Sequence, residues 1–422
     1  MLGDLLMIKI IKIGGISLNN LVLYSDMKDL FRHNNEIIFI VISALKNVSS
    51  LLKHAAKSAE SGNKILFSET VNEIFSIHQD FIERNMPTKV ASISKILSES
   101  KENLLKALNS VYLTGFLSKR TLDSILSQGE LLLLGILRID LADNPNVEVV
   151  DSRMIIKTDS NYNSAKPLQE ETNQAIQQLV SGSDAGNYIT QGFVASDLQG
   201  NTTTMGFESS NLTALLIAQA LGSKEIRIIT DVPGICVADP KIFPDAKVIE
   251  EISYHNAYIA AKYGLKLFYA PMIESSDITD TTIIYSNKIN HLNELTKIVR
   301  VADCNNSLLI VREVISWKIE ADSSVALRAS ATLTITDNMS NWVYIDKRNM
   351  NSIADELLIN INTYCLISVL FSEKSLIVNQ AMKFFENNED FKLVIANSDV
   401  IHIVSNMESG MEFCKVILPM IS

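Results

Sequence analysis

The chain has 422 residues, too many for one ordinary core and enough for two or three domains. Hydrophobic residues make up 47% and charged residues 20%, the balance of a soluble globular protein. A net charge of -11 argues against a nucleic-acid partner, whose phosphates need a positive surface, but leaves room for a single nucleotide in a cleft. Cys236, Cys304, Cys365, Cys414 and the six histidines are scattered without ligand spacing, so no metal site is expected from protein residues. The apolar start from Met1 to Ile11 is broken by Asp4 and Lys9 and is too short to span a bilayer. No membrane association is expected, and a cytoplasmic location follows by default.

Met7 to Ile13 is an apolar run ending in Gly14-Gly15, and Ile37 to Ile42 is a second run ending at Ser43. Continuous apolar strands of this kind suit a parallel sheet covered on both faces. Leu21 to Arg32 between them is long enough for a crossover helix. Residues 51 to 140 read as mostly helical, with one helix over Leu122 to Leu137 that contains Gly129. Val147 to Val150 reads as a strand, and so does Tyr188 to Ala195, followed by an Asp197 to Asn201 turn. Leu212 to Leu221 reads as a helix closed by Gly222, and Glu225 to Thr230 as the next strand. Ile249 to Gly264 is expected as a further helix and Thr282 to Tyr285 as a late strand.

The composition changes near residue 292. Ser307 to Val311, Ala331 to Ile335, Asn341 to Ile345 and Cys365 to Leu370 read as strands, with helices over Ile353 to Ile359 and Leu376 to Phe385. Short strands interleaved with helices suggest small α+β modules. The expected division is 1–295 and 305–422.

Three segments carry candidate chemistry. In Lys12-Ile13-Gly14-Gly15-Ile16-Ser17, paired glycines after a strand let backbone N–H groups approach an anion, with Lys12 and the Ser17 hydroxyl beside it. The alternative is a tight turn with an exposed lysine. In the stretch Gly200 to Asn211, Thr202, Thr203, Thr204, Ser209 and Ser210 offer hydroxyls before a helix N-terminus, and Asn211 reads equally as a cap. Thr230-Asp231-Val232-Pro233-Gly234 and Ala238-Asp239-Pro240-Lys241 place polar groups after a strand, where α/β sheets bind ligands, or simply form turns. Gly129-Glu130 reads on its own as a helix-packing glycine beside a surface glutamate.

In this order the segments resemble the aspartate kinase family within the amino-acid kinases. The family's Lys-Phe-Gly-Gly-Thr-Ser is matched by Lys12 to Ser17, its Ser-Ala by Ser43-Ala44, and its Gly-Glu by Gly129-Glu130. Its Asp-x-Arg and Lys-Thr-Asp are matched by Asp151, Arg153 and Lys157 to Asp159. Gly192-Phe193, Thr202 to Gly206, Thr230 to Gly234, Ala238 to Lys241 and Glu251 to Tyr254 also fit, so the likeness covers roughly residues 8 to 290. The resemblance implies an amino-acid-kinase three-layer α/β sandwich with a mainly parallel sheet, followed by paired ACT-like regulatory modules. It implies transfer of the ATP γ-phosphoryl group, with Mg²⁺, to the side-chain carboxylate of L-aspartate.

By the same resemblance, Lys12 and the position of Asn211 are catalytic, and Gly14, Gly15, Thr230, Asp231 and Lys241 hold the nucleotide. Ser17, Ser43, Glu130 and Thr204 lie near the amino acid. A lysine or threonine effector and a homodimer are implied too. The departures fall in one place. The family's Gly-Arg-x-Gly-Ser-Asp segment stands here as Gly206-Phe207-Glu208-Ser209-Ser210-Asn211, without the carboxylate-clamping arginine or the aspartate, and Tyr269 stands for a histidine. Weak or altered activity is therefore expected. The alternative is an inactive homologue that binds a nucleotide or amino acid as a regulatory protein.

Overall fold

The computed structural model describes residues 7–31, 36–183, 185–206, 208–232, 234–263, 265, 270–289, 295–302, 307–319, 333–336, 341–346, 362–370, 374–386, 392–395 and 400–421. The chain forms two compact units, Met1–Gly234 with Pro271–Arg300, and Ile235–Ala270 with Val301–Ser422. The expected helix at 353–359, and Phe207, Pro233 and Tyr269, lie outside the described residues.

In chain order the strands begin with β1 (Met7–Ile13), β2 (Glu36–Ile42), β3 (Val147–Val150), β4 (Lys157–Thr158), β5 (Asn187–Gln191), β6 (Val194–Asp197), β7 (Thr202–Thr204) and β8 (Glu225–Ile229). Then come β9 (Glu251–Ser253) in the second unit, and β10 (Thr282–Ser286) and β11 (Leu295–Val299) in the first. The main sheet of the first unit runs β3-β5-β2-β1-β8-β10-β11, parallel throughout except for β11. A small sheet, β4-β6-β7, stands beside it.

The first ten α-helices are α1 (Gly15–Leu18), α2 (Leu21–Leu30), α3 (Val48–Glu60), α4 (Lys64–Asn85), α5 (Val90–Thr114), α6 (Lys119–Leu126), α7 (Gln128–Asp140), α8 (Ser152–Ile155), α9 (Gln169–Gly182) and α10 (Ser210–Leu221). Side chains alternate along each strand. Ile11 and Ile13 of β1, and Ile38, Ile40 and Ile42 of β2, enter one core with the apolar faces of α2 to α7. α10 packs on β1, β2 and β8 and against α9, and it is buried from Ser210 to Ala218, which explains why it is apolar on every side. Gly222 ends it at φ 71, the left-handed C-cap that the sequence signals. This is the expected three-layer α/β arrangement.

Three elements differ from the sequence reading. The Leu122–Leu137 helix is two helices, because the chain turns at Ser127 between α6 and α7. The Tyr188–Ala195 strand breaks at Gly192-Phe193, where Phe193 takes φ 67. The Ile249–Gly264 helix begins only at Tyr254, because Ser253 caps it by accepting from the Asn256 amide at 3.2 Å.

In the second unit, β12 (Leu308–Ile319), β13 (Leu333–Thr336), β14 (Asn341–Asp346), β15 (Asn362–Leu370), β16 (Lys392–Ile395) and β17 (Val400–Ser405) form an antiparallel sheet in the order β13-β14-β12-β15-β17-β16. Helices Lys374–Phe384 and Met407–Ile421 cover one face through Ile377, Phe413 and Ile417, which meet Ile367, Val369 and Ile403. This is a small α/β module resembling ACT domains. No described helix of the chain is long and apolar enough to cross a membrane.

Candidate active site

Because β1, β2, β5, β8 and β10 are parallel, their C-terminal ends open on one edge of the sheet, the edge where such folds bind ligands. Backbone hydrogen bonds tie these ends together. Gly14 N–H donates to Ile229 O (3.0 Å), Ser43 N–H to Ile13 O (3.4 Å), Gly192 N–H to Ile42 O (2.8 Å) and Thr230 N–H to Ser286 O (2.9 Å). Residues far apart in sequence, Lys12 to Ser17, Ser43, Thr230 and Asp231, thereby share one rim.

Lys12 alternates with Ile11 and Ile13, so its side chain lies on the α10 face of β1. It is partly buried, not the exposed lysine of the turn reading. Burial lowers its ammonium pKa to about 8, opposed by the Glu208 carboxylate. Its Nζ lies 3.7 Å from the point a Gly14 Cβ would occupy, so the ammonium curls over the glycine turn.

The two glycines have different reasons. A Cβ on Gly15 would lie 1.8 Å from Ala44 O, so a side chain there has no room. The Gly14 amide is spent on Ile229 O and does not face outward as the anion reading supposed. Leu18 N–H closes a helical turn onto Gly14 O (3.0 Å), which makes the amides of Gly15, Ile16 and Ser17 its first-turn donors. The Ser17 hydroxyl is buried and donates to Ile229 O (3.4 Å).

Glu130 corrects the surface reading outright. Only 3% exposed, it sits in the first turn of α7, where its Oε1 accepts the Ala44 amide (3.2 Å) and Oε2 has no hydrogen-bond partner. Burial raises its carboxyl pKa to about 8. Gly129 makes this possible, since its missing Cβ would meet Val48 Cγ1 at 2.9 Å and Ala44 Cβ at 3.0 Å. Glycine is thus retained here for close packing, as its place inside a helix suggested.

Asn211 is not the helix cap. α10 starts at Ser210 after Ser209, whose hydroxyl donates to Gly206 O (2.6 Å). Asn211 is 8% exposed, and its Oδ1 has no hydrogen-bond partner. The α10 N-terminus is seated against the end of β5, because a Cβ on Gly192 would come within 2.6 Å of Ser210 Cα. Thr230 Oγ1 donates to Asp231 Oδ1 (3.2 Å) at the rim. Thr204 is committed elsewhere, since its hydroxyl donates to Asp123 Oδ1 (2.6 Å). Lys241 belongs to the second unit, is exposed, and its amide donates to Asp239 Oδ1 (2.9 Å).

Gln191, which the sequence reading did not single out, joins residues named there only as parts of motifs. Gln191, at the end of β5, donates to Asp151 Oδ1 (2.7 Å), and Asp151 also pairs with Arg153 (2.6 Å). At Lys12 burial lowers the pKa and the Glu208 carboxylate opposes it, whereas at Tyr285 burial and then Glu208 both raise it. Glu208 takes φ 70, a conformation glycine adopts far more readily.

A sequence profile described as the amino acid kinase family matches residues 7–284. The chain belongs to that family. Lysine-sensitive aspartokinase 3 of Escherichia coli (strain K12) is 29% identical over 263 residues, 61% of this chain and 56% of that protein. An aspartokinase of Chlamydia pneumoniae is 30% identical over 236 residues, 56% of this chain and 50% of that one. The chain therefore spans about half the length of the curated relatives it matches. Among solved structures, E. coli aspartokinase III in complex with aspartate and ADP superposes with a TM-score of 0.75 at 20% identity, covering 96% of this chain and 98% of that one. Clostridium acetobutylicum aspartate kinase gives 0.67 at 17%, covering 99% and 100%. At these identities the structures bear on the fold.

Proposed function

We propose that the protein is an aspartate kinase of altered competence, which transfers the ATP γ-phosphoryl group to the side-chain carboxylate of L-aspartate to form 4-phospho-L-aspartate. The observation that carries the reading is the rim itself, with a lysine curled over a glycine turn at the end of β1 and a buried, half-satisfied glutamate held at the end of β2. The aspartokinase sequences support the substrate class.

The acceptor carboxylate is ionised near neutral pH and needs little base assistance. Positioning and charge neutralisation then dominate. Lys12, desolvated yet held cationic by Glu208, neutralises the transferring phosphoryl group. Glu130 offers its unbonded oxygen to a donor on the amino acid. Thr230 and Asp231 at the end of β8 hold the nucleotide. Mg²⁺ bound with the nucleotide would balance phosphate charge. The neutral Asn211 amide takes the place of an aspartate, so the cationic site is less well organised. A lysine or threonine effector on the second unit, a homodimer and a cytoplasmic location extend the proposal.

The test is a coupled assay for acyl phosphate over a panel of amino acids, with nucleotide binding measured on the same preparation. Aspartate-dependent turnover supports the kinase reading. ATP binding without turnover for any amino acid replaces it with the regulatory homologue, a reading that the lost charge at Asn211 specifically favours.

A further inference from the structure

Asp123 on α6 is fully buried and pairs with no basic side chain among the described residues. Its oxygens are instead satisfied by two other segments. Oδ1 accepts the Thr204 hydroxyl (2.6 Å) and the Asn163 amide (3.0 Å), while Oδ2 accepts the Thr204 amide (2.9 Å) and is also reached by the Asn163 amide (3.1 Å). A buried carboxylate held only by neutral donors costs folding free energy that an apolar side chain would not. Its placement shows what that cost secures.

The two segments it grips lead directly to the rim. Thr204 ends β7 and is followed by Met205 and by Gly206 at φ 90. Gly206 O receives the Ser209 amide (3.3 Å) and hydroxyl (2.6 Å), and α10 with Asn211 begins at the next residue. Asn163 takes φ 71, and its carbonyl oxygen lies 3.6 Å from the point a Gly206 Cβ would occupy, so the Asn163 turn abuts the Gly206 turn. Asn163 Oδ1, like Asn211 Oδ1, is buried without a hydrogen-bond partner. Ala165 N–H closes the frame onto Thr204 O (3.0 Å). None of these bonds reaches Thr230 or Asp231, whose strand end is tied to Ser286.

We propose that Asp123 is a positioning residue for the acceptor side of the site. It locks the Asn163 turn and the stretches 204–206 and 208–211 into one frame that presents the two unbonded asparagine oxygens. The proposal rests on the phosphotransfer reading above for its kinetic consequence, but not for its structural one. Asp123→Asn keeps the shape and sets an amide N–H against the N–H groups of Thr204 or Asn163. Thr204→Val removes one of the four bonds and leaves the carboxylate.

Steady-state kinetics on the full chain then separate the alternatives. Asp123→Asn is expected to raise KM for the acceptor about tenfold or more, with KM for ATP changed less than about twofold. Thr204→Val is expected to give a smaller rise of the same kind, and Thr204→Ser to recover most of what valine loses. If Asp123→Asn fails to fold, the valine and serine pair carries the test. A lower melting temperature with both KM values unchanged, or both raised equally, overturns the proposal. If the unmodified protein forms no acyl phosphate with any amino acid, the phosphotransfer reading fails, and hydrogen exchange still reads the frame. Faster exchange of the Asn163, 204–206 and 208–211 amides in Thr204→Val than in Thr204→Ser supports the frame, and equal exchange refutes it.

Discussion

Replacing Glu130 by glutamine tests the physical state of the acceptor pocket before any chemistry is assayed. Burial lifts the carboxyl pKa from 4.5 to about 8, with backbone amide bonds from Ala44 and from Glu130 itself pulling the other way. Since the folded-state value is raised, the folded protein keeps a proton that the unfolded chain has released. This group's contribution to stability is therefore greatest below pH 4.5 and is lost as pH rises towards 8. Each pH unit in that window removes about 1.4 kcal/mol, so the whole window is worth on the order of 3–5 kcal/mol.

Glutamine is neutral at every pH and escapes this loss. Urea denaturation of both proteins at four pH values between 5 and 8 should show the glutamine variant gaining on the wild type with each step, then levelling off above about pH 8. Aspartate added at pH 8 should narrow the gap by stabilising only the wild type, if its ammonium group supplies the donor missing at Oε2. A stability difference that stays flat across this range would refute the burial argument, and with it the reason for placing Glu130 in the pocket.

Three further outcomes follow from the same geometry. Gly15→Ala should destabilise the fold by about 3 kcal/mol in thermal or urea unfolding, because its Cβ would lie 1.8 Å from Ala44 O; a wild-type melting temperature would contradict the packing account. Lys12→Met should abolish turnover, with a loss of about 100-fold or more in kcat. It should also stabilise the protein below pH 8, since the folded-state pKa of Lys12 is depressed and its charged form is penalised there, and that gain should shrink between about pH 8 and 10.5; a destabilised variant at pH 7 would show the lysine to be a structural partner. Restoring the missing charges with Asn211→Asp and Phe207→Arg together should raise acyl phosphate formation from aspartate by about 100-fold, and an unmodified protein already as active as the double variant would end the altered-competence reading.

Much of the fold was legible because the signals are local. The apolar runs at residues 7–13 and 37–42, the glycine turn and the Gly222 stop each declare themselves within a few residues. The strand break at Gly192-Phe193 did not, because its cause is Ser210 pressing on Gly192 from the start of α10. Nor does chain order reveal that Ile235–Ala270 packs with the C-terminal unit. In the site, Lys12 and Gly14-Gly15 stood out as a motif, whereas the burial of Glu130 had to come from structure. The one available hint was a lone carboxylate ahead of four consecutive leucines, Leu131 to Leu134. Asp123 left no signal at all, since its partners lie 40 and 81 positions away.

β1 lies between β2 and β8, and Lys12 is in register with Val41 on one side and Ile228 on the other. The first neighbour is made almost at once, the second only after some two hundred more residues. At about 5–20 residues per second, a nascent chain waits roughly ten to forty seconds with one edge of an apolar central strand unpaired. An unpaired parallel edge invites the wrong partner. The order that gathers Lys12, Gly14 and Ile229 therefore leaves the N-terminal half open to mispairing during synthesis, and expression yield is expected to rise with chaperone supply.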